Sequence, residues 1–112
     1  MRAALLQITS TDQPPENLRI VTRMIEEAVA GGAGFVLTPE VTNCLSSSRK
    51  HQHAVLHHED EDPTLAALRK EAARHGIWLL IGSLGVKTHD EDERFANRQI
   101  LIDPQGEIVA RY

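Results

Sequence analysis

The residue in these 112 positions best placed for bond-breaking chemistry is Glu40. It ends the stretch Gly31-Gly32-Ala33-Gly34-Phe35-Val36-Leu37-Thr38-Pro39-Glu40, which reads as a glycine-rich helix stop, a short apolar strand and then a carboxylate. A glutamate fixed where a buried strand runs out points into the crevice above an open α/β sheet, the place where such sheets bind ligands. Pro39 removes a ladder donor and fixes φ, so strand pairing should end there and the approach to the carboxylate should be stiff. Taken alone, a glutamate after a strand is more often a solvated loop residue, so the surrounding motifs have to decide.

The other reactive side chains have weaker surroundings. Cys44 lies four residues on, within Thr42-Asn43-Cys44-Leu45-Ser46, with no glycine elbow and no basic neighbour to lower its thiol pKa. It reads as a small buried hydrophobe. Lys50, Lys70 and Lys87, the only lysines, read as solvated surface residues. His51, His53, His57 and His58 offer His-x-His and an i, i+4 pair beside acidic residues, a loose match to a four-ligand zinc site, and no metal is expected. The glycines at 31–34 follow a helix and precede a strand, the reverse of a phosphate loop, so no phosphate-bearing cofactor is expected there.

Composition narrows the partners. A net charge of −4, a pI near 5.8 and only 4% aromatic residues give neither the field nor the stacking surface that nucleic acid needs. The N-terminus has only four apolar residues before Gln7, too few for a signal core or a membrane span, so a cytoplasmic location without membrane contact is expected. A single cysteine forms no internal disulfide and fits a reducing compartment. The length allows one domain at most.

The elements that must position Glu40 follow a βα rhythm. Ala3–Ile8 is an apolar run suited to a strand covered on both faces. In Glu16–Ala30, Leu18, Val21, Ile25, Ala28 and Val29 share one helical face, and Gly31-Gly32 stop the helix. Val41–Asp62 is the least regular part, and a loop of that length in a compact domain is functional or disordered. Asp62-Pro63 opens a second helix that Gly76 ends, and Ile77–Leu84 is a third strand. Lys87–Arg94 reads as an exposed charged loop. Phe95–Ile102 and Glu107–Tyr112 flank Asp103-Pro104-Gln105-Gly106, a tight turn between antiparallel strands.

In order and spacing, these residues carry a resemblance. Ala4-Leu5-Leu6-Gln7, Asn17-Leu18, Gly32-Ala33-Gly34, Pro39-Glu40, Gly82-Ser83, Asn97 and Ile102-Asp103-Pro104-Gln105-Gly106-Glu107-Ile108-Val109 together cover nearly the whole chain. It resembles the N-terminal part of the nitrilase superfamily of carbon-nitrogen hydrolases, the amidase-like branch. The resemblance implies an α/β fold, part of a four-layer α-β-β-α sandwich, with a mixed sheet of about five strands and two helices on one face. It also implies a homo-oligomer and a Glu-Lys-Cys catalytic set acting on a small amide or nitrile without cofactor or metal. Glu40 matches the general base, with a pKa that burial beside apolar walls would raise. The lysine of the family's Tyr-x-Lys pattern and the cysteine at a strand-to-helix elbow have no counterpart in these residues. Residues 1–112 are therefore expected to be the N-terminal part of one domain, truncated after the fifth strand. The alternative is a catalytically inactive fragment serving as a self-associating or protein-interaction module.

Overall fold

The computed structural model describes residues 1–89 and 94–112, so positions 90–93 of the expected Lys87–Arg94 loop lie outside the described residues. Five strands, β1 (Arg2–Leu5), β2 (Ala33–Leu37), β3 (Trp78–Lys87), β4 (Phe95–Ile102) and β5 (Ile108–Arg111), form one sheet in the order β1-β2-β3-β4-β5. β1, β2 and β3 run parallel, and β4 and β5 continue antiparallel. The helices are α1 (Pro14–Ala30), α2 (Arg49–Val55) and α3 (Pro63–His75).

α1 and α3 are the crossovers of two successive βαβ units, so they fall on one face of the sheet and touch each other. α1 turns toward that face the side chains its periodicity selects, with Val21 and Ile25 fully buried. It begins two residues earlier than the sequence suggests, because Pro14 and Pro15 occupy positions where a missing N–H costs nothing. α3 starts at the Asp62 cap and stops at Gly76, whose φ of 63° is the left-handed conformation a helix end favours.

The register lines the strands up in two rows. On the helix side run Ala4, Val36, Leu79, Ile102 and Ile108. Val36, Leu79 and Ile102 are inaccessible to solvent there, and each contributes about 1.5–3 kcal/mol by leaving water. On the opposite side run Leu5, Leu37, Leu80, Leu101 and Ala110. This second row is only half-buried, and Leu5 is 74% exposed. The expectation that the first strand is covered on both faces is therefore met on one face only by residues 1–112. One helix layer and one sheet, half of an α-β-β-α sandwich, are present.

Two expectations change. Val41–Asp62 is not irregular throughout: it holds α2 and a 3-10 turn at Glu59–Glu61, in addition to α1 and α3, the two helices expected on one face. α2 has no buried residue, and its first turn is capped by Ser48, whose Oγ accepts from His51 N at 3.1 Å. The segment is pinned to the sheet by Glu59, which pairs with Arg98 at 3.3 Å and Arg111 at 2.8 Å. The third strand also runs past Leu84 to Lys87, because a bulge between Ile81 and Leu84 bends it without ending its pairing with β4.

Asp62 joins fold to pH. Its Oδ1 accepts from Thr64 N at 2.8 Å and Leu65 N at 3.3 Å. Burial pushes its carboxyl above the usual aspartate range, while the two N–H donors and nearby His57 pull the other way. A carboxyl with a raised folded pKa holds its proton more tightly folded than unfolded. Stability therefore falls as pH rises from the ordinary aspartate range through the raised value, and the penalty is complete above it. Asp62→Asn keeps the cap oxygen without the charge. Its melting temperature relative to wild type should rise between pH of about 4 and neutrality, a trend that a pH series of thermal melts reads directly. A difference that stays flat with pH would refute the assignment.

Candidate functional site

Glu40 lies in the turn directly after β2, at the carboxyl end of the parallel strands. Thr38 N makes the last sheet-like bond, to Leu80 O at 3.0 Å, and Pro39 has no N–H to continue the ladder. The chain then turns through Val41, whose φ of 45° is the one positive value at a non-glycine residue among the described residues. A β-branched side chain is strained in that conformation, so something outside the turn must hold it.

β3 does the holding. Ser83, within the bulge, donates its N–H to Pro39 O at 3.3 Å, and its Oγ accepts from Val41 N at 2.7 Å. Its carbonyl accepts from Thr42 N at 2.9 Å. A relay of hydroxyls runs alongside: Gly82 N donates to Thr38 Oγ1 at 3.1 Å, Thr38 Oγ1 meets Thr42 Oγ1 at 2.8 Å, and Thr42 Oγ1 donates to Pro39 O at 2.5 Å. Gly82 permits this approach, since a Cβ there would stand 2.0 Å from Thr38 O.

Beyond the turn, Asn43 exchanges two 2.8 Å bonds with the backbone of Gly85 and accepts from Asn17 Nδ2 at 2.9 Å. Asn17 also bonds Thr11 O at 2.8 Å, so the loop after β1, the first turn of α1 and the end of β3 all brace the segment that follows Glu40. Residue order alone does not reveal this bracing; Asn17 and Ser83 stand in the sequence as motif residues without a stated task.

The Glu40 side chain is exposed. The apolar walls expected around it are not built by residues 1–112. A cavity of about 240 Å³ opens beside its turn, lined by Val41, Cys44, Leu56, Gly85, Phe95 and Asn97 among others. The larger cavity, about 430 Å³, lies on the helix side between the first turns of α1 and α3.

The remaining reactive groups do not join Glu40. Cys44 is 6% exposed, and burial, followed by the Asp12 charge, pushes its thiol up, away from the thiolate a nucleophile needs. Its Sγ is spent on Asp12 O at 3.7 Å. Lys50 and Lys70 are exposed, and Lys87 ends β3. The histidines disperse: His51 Nε2 lies 2.6 Å from Asp12 O, His53 tilts against Phe95 at 4.8 Å, and His58 stacks on His89 at 4.1 Å. Among the described residues, no three metal-ligand side chains converge. No helix among them is long and apolar enough to cross a membrane.

A βα sheet with two helices on one face, an apolar second face and a carboxylate at its carboxyl end is one half of an α-β-β-α sandwich. The chain belongs to the carbon-nitrogen hydrolase family, whose sequence profile matches residues 2–112. It is similar to the deaminated glutathione amidase of Yersinia enterocolitica, 29% identical over 109 residues that make up 97% of this chain and 37% of the relative. Among solved structures it is similar to an amidase from Nesterenkonia sp., with a TM-score of 0.80 and 30% identity over 100% of this chain and 41% of that one. A glutamate-to-glutamine variant of that amidase shows Michael addition of acrylamide at the active site cysteine. The NitFhit protein of C. elegans superposes with a TM-score of 0.85 at 26% identity, over 98% of this chain and 26% of that one. The chain spans little more than a third of the length of the curated relatives it matches.

Proposed function

We propose that residues 1–112 are the N-terminal part of one carbon-nitrogen hydrolase domain that cleaves a small amide or nitrile, and that Glu40 is its general base. The observation that carries this reading is the mounting of Glu40: a carboxylate at the carboxyl end of β2, on a strained turn fixed from both sides by β3. In an amide substrate, the Glu40 carboxylate takes the proton of a cysteine thiol and the thiolate attacks the carbonyl carbon. A lysine ammonium stabilises the tetrahedral oxyanion. Glu40 then passes its proton to the leaving nitrogen, which departs as ammonia or an amine and leaves a thioester. Glu40 next deprotonates the water that hydrolyses the thioester, restoring the thiol and releasing the acid.

The sheet register supports a place for the lysine. Tyr112 and Gln99 exchange N–H···O bonds of 2.9 and 3.0 Å, continuing the antiparallel pairing of β5 with β4. In a chain that carries the family's Tyr-x-Lys pattern from Tyr112 onward, this register would bring the lysine opposite Asn97, which borders the cavity beside Val41. We place the protein in the cytoplasm, in keeping with the unpaired Cys44, and as a homo-oligomer, in keeping with the apolar second row of the sheet. Loss of ammonia release in the Glu40→Gln variant of the whole enzyme tests the assignment; retained turnover overturns it.

The exposed apolar row supports a second reading, in which residues 1–112 alone form an inactive, self-associating module. Sedimentation velocity on the 112-residue chain should then show dimers or larger species. A monomer with a cooperative melt would rule that module out.

A further inference from the structure

Ser83 is 7% exposed and sits in the β3 bulge, far from Glu40 in sequence. It nevertheless touches the backbone on both sides of that residue, through the carbonyl of Pro39 and the N–H groups of Val41 and Thr42. Regular strand pairing would use the N–H and carbonyl of Ser83 on β4. The bulge releases them, because Ile81 still pairs with Ile100 and Leu84 with Arg98 while Gly82 and Ser83 turn to the Glu40 side. The side chain adds what the backbone cannot: an acceptor for the N–H of Val41, the residue held at a φ of 45°. With that acceptor removed, a part-buried N–H loses its partner in a conformation that is already unfavourable for valine, and the turn has a downhill route to another shape.

We propose that Ser83 is a positioning residue that fixes the direction of the Glu40 carboxylate by locking Val41 in its left-handed conformation. The inference rests on reading Glu40 as the general base. It assigns to the Gly82-Ser83 pair a joint task, with Gly82 letting the turn approach and the Ser83 hydroxyl fastening it. A small rotation at Val41 swings the neighbouring carboxylate, and a base displaced by about 1 Å loses up to about a hundredfold in rate.

The experiment compares Ser83→Ala, Ser83→Thr and Ser83→Cys in the whole enzyme, with ammonia release followed well below each melting temperature. Ser83→Ala should lower kcat by about tenfold to a hundredfold while KM moves less than about twofold, and the acid limb of the kcat/KM profile should shift. Ser83→Thr keeps the hydroxyl and should recover most of the lost kcat. Ser83→Cys replaces the hydroxyl by a weak acceptor of similar size, should lose kcat in the same direction, and carries the test should Ser83→Ala fail to fold. Wild-type kcat in Ser83→Ala, or a kcat loss fully matched by loss of folded protein, would overturn the proposal. The Glu40→Gln variant separates the two levels: if it stays active, the base assignment fails, and if it is inactive while Ser83→Ala is normal, only the positioning role fails.

Discussion

Replacing Glu40 by glutamine in the whole enzyme should lower kcat for ammonia release by about a hundredfold to ten-thousandfold, the range set by loss of a general base. The two side chains have nearly the same shape, and within residues 1–112 Glu40 is exposed and makes no side-chain bond among the described residues, so the fold and its melting temperature should be little affected. Substrate affinity should change little, because the lost function is acceptance of a proton. A cysteine that depends on Glu40 for deprotonation should also react more slowly with an alkylating amide in the variant. Turnover within a few fold of wild type would remove Glu40 from the mechanism and return it to a solvated turn residue.

Gly82→Ala should produce the largest loss of stability of any single methyl added to this chain, about 3 kcal/mol or a failure to fold. The new Cβ would stand 2.0 Å from Thr38 O and 2.9 Å from both the carbonyl carbon and the oxygen of Pro39. These are backbone atoms, and none of them can rotate aside. Relief requires β2 and β3 to separate where the turn is fastened, which breaks the Gly82 N to Thr38 Oγ1 bond and moves Glu40 as well. Gly85→Ala provides the comparison. There the nearest atoms are side-chain tips of Asn43 and Leu56 at 3.5–3.7 Å, an ordinary contact, and the cost should stay within about 1 kcal/mol. Equal denaturant midpoints for Gly82→Ala and wild type would show that the close approach of the two strands is not as described.

Much of this architecture is legible in the sequence, for identifiable reasons. α1 and α3 declare themselves because Val21 and Ile25, and Leu65, Leu68 and Ala72, repeat at helical spacing between clear start and stop residues. β2 and β3 are short apolar runs, and the hairpin is set by Asp103, whose Oδ1 accepts from both Gln105 N and Glu107 N. α2 escapes notice because Arg-Lys-His-Gln-His-Ala-Val has no apolar stripe; its order comes from the Ser48 cap and from Glu59 reaching two arginines on distant strands. The glycines in β3 look like a strand end, and only the bulge shows that pairing resumes after them. For the site, the order of motifs singles out Glu40, while its bracing depends on contacts such as Val41 to Ser83 and Asn17 to Asn43, which no local pattern encodes. Burial of Glu40 was the expectation that residues 1–112 do not meet, since that wall would have to come from outside them.

The sheet is laid down in sequence order, each strand beside the one before it. A polypeptide leaving the ribosome can therefore add strands one at a time, and the groups that fasten the Glu40 turn all precede β4 in the chain. The helix-side row closes at Ile108, while the Leu5, Leu37, Leu80 and Leu101 row is still open to water. During synthesis such a nascent chain would carry the braced Glu40 turn on a sheet with one apolar side still facing water, where premature association starts.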